Sequence, residues 1–174
     1  MVPQAYDHKR FLALVETHQR LLLKVCWAYG RTSHDRNDLF QEIIGRLWAA
    51  FGKYDPNRKF STWMYRVALN VAIDNRRRQQ RWGRESASFD DDETAEPGTA
   101  PEETRKQQQL HEFRELLEQQ SDTDRPILLL YLEGHSYREI GEILGISESN
   151  VGTRLSRLKE SMRQTVQENP EQGP

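Results

Sequence analysis

The 174-residue sequence predicts an all-α fold: two small helical modules joined by a flexible acidic linker, the second containing a helix-turn-helix. Three observations predict it. Apolar residues recur at spacings of three and four over most of the chain, and no stretch alternates apolar with polar residues as a strand would. One segment, Glu85 to Glu103, holds a single large apolar residue, Phe89, beside Pro97, Gly98, Pro101 and the run Asp90-Asp91-Asp92-Glu93. The segment Tyr137 to Arg163 carries the glycines and corner residue of a helix-turn-helix.

The linker is expected because its apolar surface is too small to offset the entropy of ordering it. It divides the chain into a module over residues 1–84, a linker over 85–103, a module over 104–168 and a tail over 169–174. In the first module Phe11, Leu14, Val15, Leu22, Val25 and Tyr29 recur at helical spacing. Leu39, Ile43, Leu47, Trp48 and Phe51 mark the next helix, with Asp35 or Asn37 as its cap. Asp55-Pro56-Asn57 is a turn signal. A third helix follows, with Ser61 as N-cap and Trp63, Val67, Leu69, Val71 and Ile73 as apolar positions. It runs into Arg76-Arg77-Arg78.

In the second module Leu110, Phe113, Leu116 and Leu117 make one amphipathic helix. Asp122 to Pro126 starts another, since proline is tolerated in a first turn, and Gly134 stops it. Tyr137 to Leu144 then buries Ile140, Ile143 and Leu144. Gly141 stands where two crossing helices approach, Gly145 suits a left-handed helix end, and Ile146 fills the corner. Ser147 caps the last helix, with Glu148 near its positive end. Val151, Leu155, Leu158 and Met162 form its apolar stripe. Its other face shows Ser149, Asn150, Thr153, Arg154, Ser156 and Arg157, residue types that reach base edges and phosphates in a major groove. An ordinary helical hairpin has a polar outer face too; the ordered set of glycines, corner isoleucine and valine favours the DNA reading.

At 36% hydrophobic and 30% charged, the chain suits small cores under a solvated surface. The net charge of −2 is uninformative, but its distribution is not. Lys53, Arg58, Lys59, Arg66, Arg76, Arg77, Arg78, Arg81 and Arg84 face only Asp55 and Asp74 within 53–84, whereas 85–103 is acidic without a basic residue. Basic groups neutralise phosphates, and the aromatic faces of Trp63, Tyr65 and Trp82 can stack on unpaired bases. The third helix therefore suits melted DNA, although an arginine run at a helix C-terminus also complements the dipole. For Trp63 a core position is the more ordinary role; Trp82, between Arg81 and Gly83, is the better candidate for exposure, or for covering a domain seam.

No catalytic constellation stands out. His8, His18, His34, His111 and His135 are scattered, and there is no phosphate-binding glycine loop or carboxylate pair. His34 with Asp35 and Asp38 lacks a second ligand cluster, so no metal and no cofactor is expected. Cys26 reads as a small buried hydrophobe. No apolar run approaches the roughly 20 residues that span a bilayer, and Met1 to Arg10 lacks a signal-peptide pattern. The expectation is a cytoplasmic protein without membrane insertion, and without a further sensor domain after residue 174.

Three motifs in order resemble the extracytoplasmic-function sigma factors of bacteria, of the sigma-70 family: Asp38-Leu39-Phe40-Gln41-Glu42 with Arg46-Leu47-Trp48; Phe60-Ser61-Thr62-Trp63-Met64-Tyr65-Arg66-Val67-Ala68-Leu69-Asn70 with Ile73-Asp74; and Tyr137 through Ser147 with Val151 and Arg154-Leu155. The resemblance covers nearly all of residues 7–165. It implies that Asp38, Leu39, Gln41, Glu42, Arg46 and Trp48 bind core RNA polymerase. It implies −10 element binding by Arg66, Asn70, Arg76, Arg77, Arg78, Arg81 and Trp82, with the loop from about Arg81 to Phe89 capturing a flipped base, whose extrusion costs a few kcal/mol. It implies −35 binding by Ser149, Asn150, Thr153, Arg154, Ser156 and Arg157. The partners it implies are core polymerase, double-stranded and melted promoter DNA, and an anti-sigma factor; the linker would run toward the polymerase's RNA path. Gly152 departs from the family, which often has a basic residue there, and Ser149-Asn150 replaces its frequent small-Thr pair, so a −35 sequence preference does not carry over.

Two other classes compete. An operator-binding regulator would use the helix-turn-helix without polymerase, but leaves the Asp38–Trp48 and Trp63 motifs unexplained. A non-DNA adaptor is disfavoured by the basic excess over 53–84.

Overall fold

A computed structural model describes residues 5–81 and 101–168. Its elements are α1 (Ala5–Thr17), α2 (Gln19–Tyr29), α3 (Ser33–Phe51), α4 (Phe60–Arg81), α5 (Pro101–Glu118), α6 (Arg125–Leu132), α7 (Tyr137–Leu144) and α8 (Glu148–Glu168). There is no strand among the described residues, so the all-α expectation holds. Residues 85–100 of the expected linker, Arg84, Trp82 and the tail lie outside the described residues, and Pro101 to Glu103 open α5.

The chain divides into two compact units, Met1–Gln119 and Gln120–Pro174. In the first, α2, α3 and α4 pack on one another. Leu22, Val25, Leu39, Ile43, Leu47, Met64 and Leu69 form its core, each at most 2% exposed. Burying one such side chain stabilises by about 1.5–3 kcal/mol. What reads in sequence as one helical stretch from Phe11 to Tyr29 is broken at His18, which leaves helical geometry at φ −113°, ψ 13°. The break lets α1 fold back, and Phe11 meets Trp48 and Phe51 of α3 at ring-centroid distances of 5.1 and 5.2 Å.

Helix α3 starts earlier than Asp35 or Asn37 would place it. Thr32 is its N-cap, in a reciprocal capping box with Asp35 at N3. Just before it, Gly30 lies so close to α3 that a Cβ would stand 2.8 Å from the Arg36 backbone nitrogen. Helix α4 likewise starts at Phe60, so Ser61 lies inside the helix and is not its cap. Cys26 is buried, and burial pushes its thiol up to about 12, which makes it unreactive.

The sequence groups Leu110 to Leu117 with the second module, yet α5 packs on α2 within the first unit. Phe113 stacks on Trp27 with ring centroids 5.6 Å apart, and the Arg114 guanidinium lies 4.6 Å from the Trp27 ring. The Arg31 guanidinium pairs with the Glu118 carboxylate at 3.9 Å.

The second unit is a three-helix cluster of α6, α7 and α8. Ile127, Leu130, Ile140, Ile143, Val151 and Leu155 are its buried centre. Helix α6 has Pro126 in its first turn, and Gly134 at φ 85° follows its end.

Candidate nucleic-acid interface

Helices α7 and α8 form the helix-turn-helix. A capping box starts α7: Ser136 Oγ accepts from the Glu139 N–H at 3.3 Å and Glu139 Oε2 accepts from the Ser136 N–H at 3.0 Å. Gly145 ends it in the left-handed region at φ 73°, and both Gly145 and Ile146 donate to the Gly141 carbonyl, at 2.8 and 3.1 Å. A Cβ on Gly141 would stand 2.7 Å from the Ile146 carbonyl oxygen, the close approach that demands glycine. Ser147 caps α8, accepting from the Asn150 N–H at 3.2 Å.

This anchoring fixes which face of α8 is open. Val151, Leu155 and Leu158 are buried. Ser149, Asn150, Thr153, Ser156 and Arg157 are exposed. Arg154 is different. Its side chain is only 28% exposed; Nε donates to Asp124 Oδ1 at 2.9 Å, and Nη2 donates to Thr123 Oγ1. Nothing local in the sequence marks Thr123 or Asp124, because they meet Arg154 across 31 and 30 residues.

Gly152 has room for a side chain. A Cβ would meet the Tyr137 ring at 3.6 Å, ordinary contact. Gly152→Ala is therefore expected to stabilise the second unit by roughly 1 kcal/mol through helix propensity. Thermal unfolding measures this, and a lower melting temperature would mean that the Tyr137 ring cannot tolerate the methyl group.

On α4, Arg66, Asn70, Arg77 and Arg81 are exposed at spacings of four, seven and four, which puts them on one helix face. Arg76 is half-buried and donates to the Glu118 carbonyl at 3.4 Å. Trp63 is half-buried in an aromatic cluster, 5.2 Å from Tyr54 and 5.4 Å from Phe60 by ring centroids, so it packs on the core without being enclosed by it. Trp82 lies outside the described residues.

On α3, Asp38, Gln41 and Arg46 are exposed, and Asp38 pairs with His34 at 3.3 Å. Trp48 is half-buried, its ring edge-on to His8 at 5.3 Å. Leu39, expected from the resemblance among the polymerase contacts, is 2% exposed and packed in the core, so its side chain adds nothing to the open face of α3. Asp35 is used in the Thr32 box, and no metal-binding group of three His, Cys, Asp or Glu exists among the described residues.

Glu42 and Arg78, assigned by resemblance to different partners, meet each other. Arg78 Nη2 donates to Glu42 Oε1 and Oε2, both at 2.7 Å, and Asn75 donates to Oε2 at 3.2 Å. Partial burial alone would raise the Glu42 carboxyl. The bonds from Arg78 and Asn75, with the charges of Arg78 and Arg46, outweigh it and hold the group below its ordinary 4.5. A depressed folded-state value adds stability above 4.5 that is lost as pH falls through the folded-state value. Both partners are partly exposed, at 47% and 28%, so the contribution is less than about 1 kcal/mol. Urea unfolding of Glu42→Gln is expected to show a shallower loss of stability below pH 4.5 than the parent; parallel curves would remove the pair from the acid response.

Comparison with known proteins identifies the family. Residues 14–82 match Sigma-70 region 2, and residues 110–162 match Sigma-70, region 4. The region 4 match thus begins inside α5, whereas the second compact unit begins at Gln120. The ECF RNA polymerase sigma-E factor of Escherichia coli (strain K12) is 30% identical over 94% of this chain and 90% of its own length. The ECF RNA polymerase sigma factor SigW of Bacillus subtilis is 28% identical over 93% and 91%. Among solved structures, CnrH in complex with the cytosolic domain of CnrY has the same fold, with a TM-score of 0.68 at 20% identity over 93% of this chain and 90% of that one. The sigma factor RpoE of Bartonella quintana, in complex with the anti-sigma factor NepR, gives 0.66 at 18% over 91% and 98%. The chain belongs to the extracytoplasmic-function RNA polymerase sigma factors of the sigma-70 family.

Proposed function

We propose that this chain binds core RNA polymerase through α3, holds the melted −10 element on α4, and reads the −35 element with α8. The observation that carries the reading is an exposed polar helix face on each of two compact units of one chain, α4 in the first and α8 in the second. The α4 stripe Arg66, Asn70, Arg77 and Arg81 offers phosphate-neutralising charge. The exposed face of α8 offers Asn150, Thr153 and Arg157 to a major groove. Asp38, Gln41, Arg46 and the edge of Trp48 are the polymerase contacts that remain once Leu39 is removed. Arg76 borders the −10 surface, and Arg78 joins it when its pair with Glu42 opens; a role for Trp82 there rests on the resemblance alone.

The chemistry of RNA synthesis belongs to the core enzyme, and this subunit supplies no catalytic residue. Its site of action is the cytoplasm, where the polymerase works; no described helix is long and apolar enough to cross a membrane. Regulation by an anti-sigma factor is inferred from the two fold relatives, one solved with the cytosolic domain of CnrY and one with the anti-sigma factor NepR.

The test is run-off transcription: purified chain, core polymerase and a promoter library. Specific initiation that requires the chain is the expected result, with Arg157→Ala weakening −35-dependent initiation and leaving core binding intact. Binding to duplex DNA with no effect on polymerase would instead identify an operator-binding regulator.

A further inference from the structure

The contact between Arg154 and the start of α6 has more in it than a brace. Asp124 occupies the N-cap position of α6, where an aspartate ordinarily accepts a bond from the first-turn N–H groups. Its side chain makes no cap bond, and its backbone is at φ −97°, ψ −34°, not extended. The carboxylate is turned to Arg154 instead: Oδ1 accepts from Nε at 2.9 Å. Its Oδ2 accepts from Ser121 Oγ at 2.7 Å, and Ser121 Oγ lies 3.0 Å from Thr123 Oγ1, the atom that accepts from Arg154 Nη2. Ser121, Thr123 and Asp124 thus form a polar collar around one edge of the guanidinium.

That edge matters chemically. A guanidinium can offer two forks to a guanine or a phosphate, one built from Nε and Nη2 and one from the two terminal nitrogens. The collar occupies the first fork. It also sets a carboxylate beside an arginine on the helix that meets DNA, so one phosphate-neutralising charge is already neutralised. Arg157, three residues further along, is exposed.

We propose that Asp124, with Thr123, is a positioning residue that sets −35 specificity by limiting Arg154 to a single presentation. The proposal rests on the sigma-factor reading above. Freed from the collar, Arg154 would turn to whichever base or phosphate lies nearest, so selectivity would fall while general DNA attraction rose.

The test uses holoenzyme reconstituted from core polymerase and the full chain, on promoters with a fixed −10 element and a randomised −35 element. Asp124→Ala is expected to lower base discrimination about tenfold at one −35 position, the scale of one bidentate contact. It should also steepen the slope of log affinity against log salt by about 0.9, one added phosphate contact. Asp124→Asn keeps an Oδ1 acceptor and is expected to stay within about twofold of the parent. In an Arg154→Ala background, Asp124→Ala should change neither the profile nor the slope. A purely structural brace would lower the melting temperature and leave base preference untouched, and that result overturns the proposal. So does the same loss of discrimination without Arg154. Where Asp124→Ala fails to fold, Thr123→Val removes the Nη2 contact alone and is expected to relax the same position; an unchanged profile there also overturns the proposal. Parent holoenzyme that initiates nowhere would sink the sigma-factor reading and this proposal together, whereas normal parent initiation with an unchanged Asp124→Ala profile sinks the collar alone.

Discussion

Gly141→Ala is expected to loosen the second unit and weaken −35-dependent initiation while polymerase binding by the first unit persists. The added Cβ would stand 2.7 Å from the Ile146 carbonyl oxygen and 3.5 Å from the Glu148 nitrogen, both backbone atoms at the corner between α7 and α8. A flexible side chain could swing aside; a carbonyl that follows a left-handed Gly145 cannot. Overpacking of this kind costs about 1–3 kcal/mol, against a gain of roughly 1 kcal/mol in helix propensity. In a unit of this size each kcal/mol moves the melting temperature by about 4–8 °C. Differential scanning calorimetry with a −35-dependent transcription assay reads both effects. A melting temperature that rises, as propensity alone predicts, would show that the corner is looser than these distances require.

Leu39→Ala carries the other large expected effect. Leu39 is 2% exposed and faces the same core as Ile43, Leu47 and Met64. Removing it leaves a cavity, at a cost of about 2–5 kcal/mol. Its exposed neighbour Gln41 is the control: Gln41→Ala should change stability by no more than about 0.5 kcal/mol and should weaken polymerase binding. Denaturant unfolding with a polymerase-binding assay separates the two. If Leu39→Ala left stability unchanged and reduced polymerase binding, the leucine would return to the contact surface and the burial argument would fail.

The parts of the fold that were legible in the sequence are those set by local chemistry. Gly145 was readable because a left-handed helix end favours glycine, and Ser147 because a cap lies three residues before the N–H it accepts from. The stripe of Val151, Leu155 and Leu158 was readable from helical period alone. The break at His18 was hidden: Val15 and Leu22 lie seven apart, a spacing that an unbroken helix also satisfies. The cap of α3 is ambiguous in sequence because both members of its box are capping types, with Thr32 as the cap and Asp35 at N3. Helix α5 was seen as amphipathic, but its partner, Trp27, lies far away in sequence, and periodicity says nothing about destination.

The candidate site divides the same way. Its exposed face on α8 followed from the buried stripe opposite. Its ion pairs did not follow from anything local, since Glu42 and Arg78 are 36 residues apart and Asp124 and Arg154 are 30 apart. Both pairs were hidden for one reason: a charged residue on a helix face looks the same in sequence whether it meets water, DNA or another helix of its own chain. The resemblance to sigma factors brought in Leu39 because it lies within a motif, whereas burial depends on which way that one side chain points.

Strand opening requires both units and the polymerase at once, so it is the decisive measurement. Thymine reactivity to permanganate, measured across a promoter selected from the library, reports unpaired bases. Reactive thymines are expected around the −10 element only when chain and core polymerase are both present, diminished by Arg77→Ala with Arg81→Ala on the α4 stripe. Tight binding of the chain alone to duplex DNA, with no reactive thymine when polymerase is added, would contradict it.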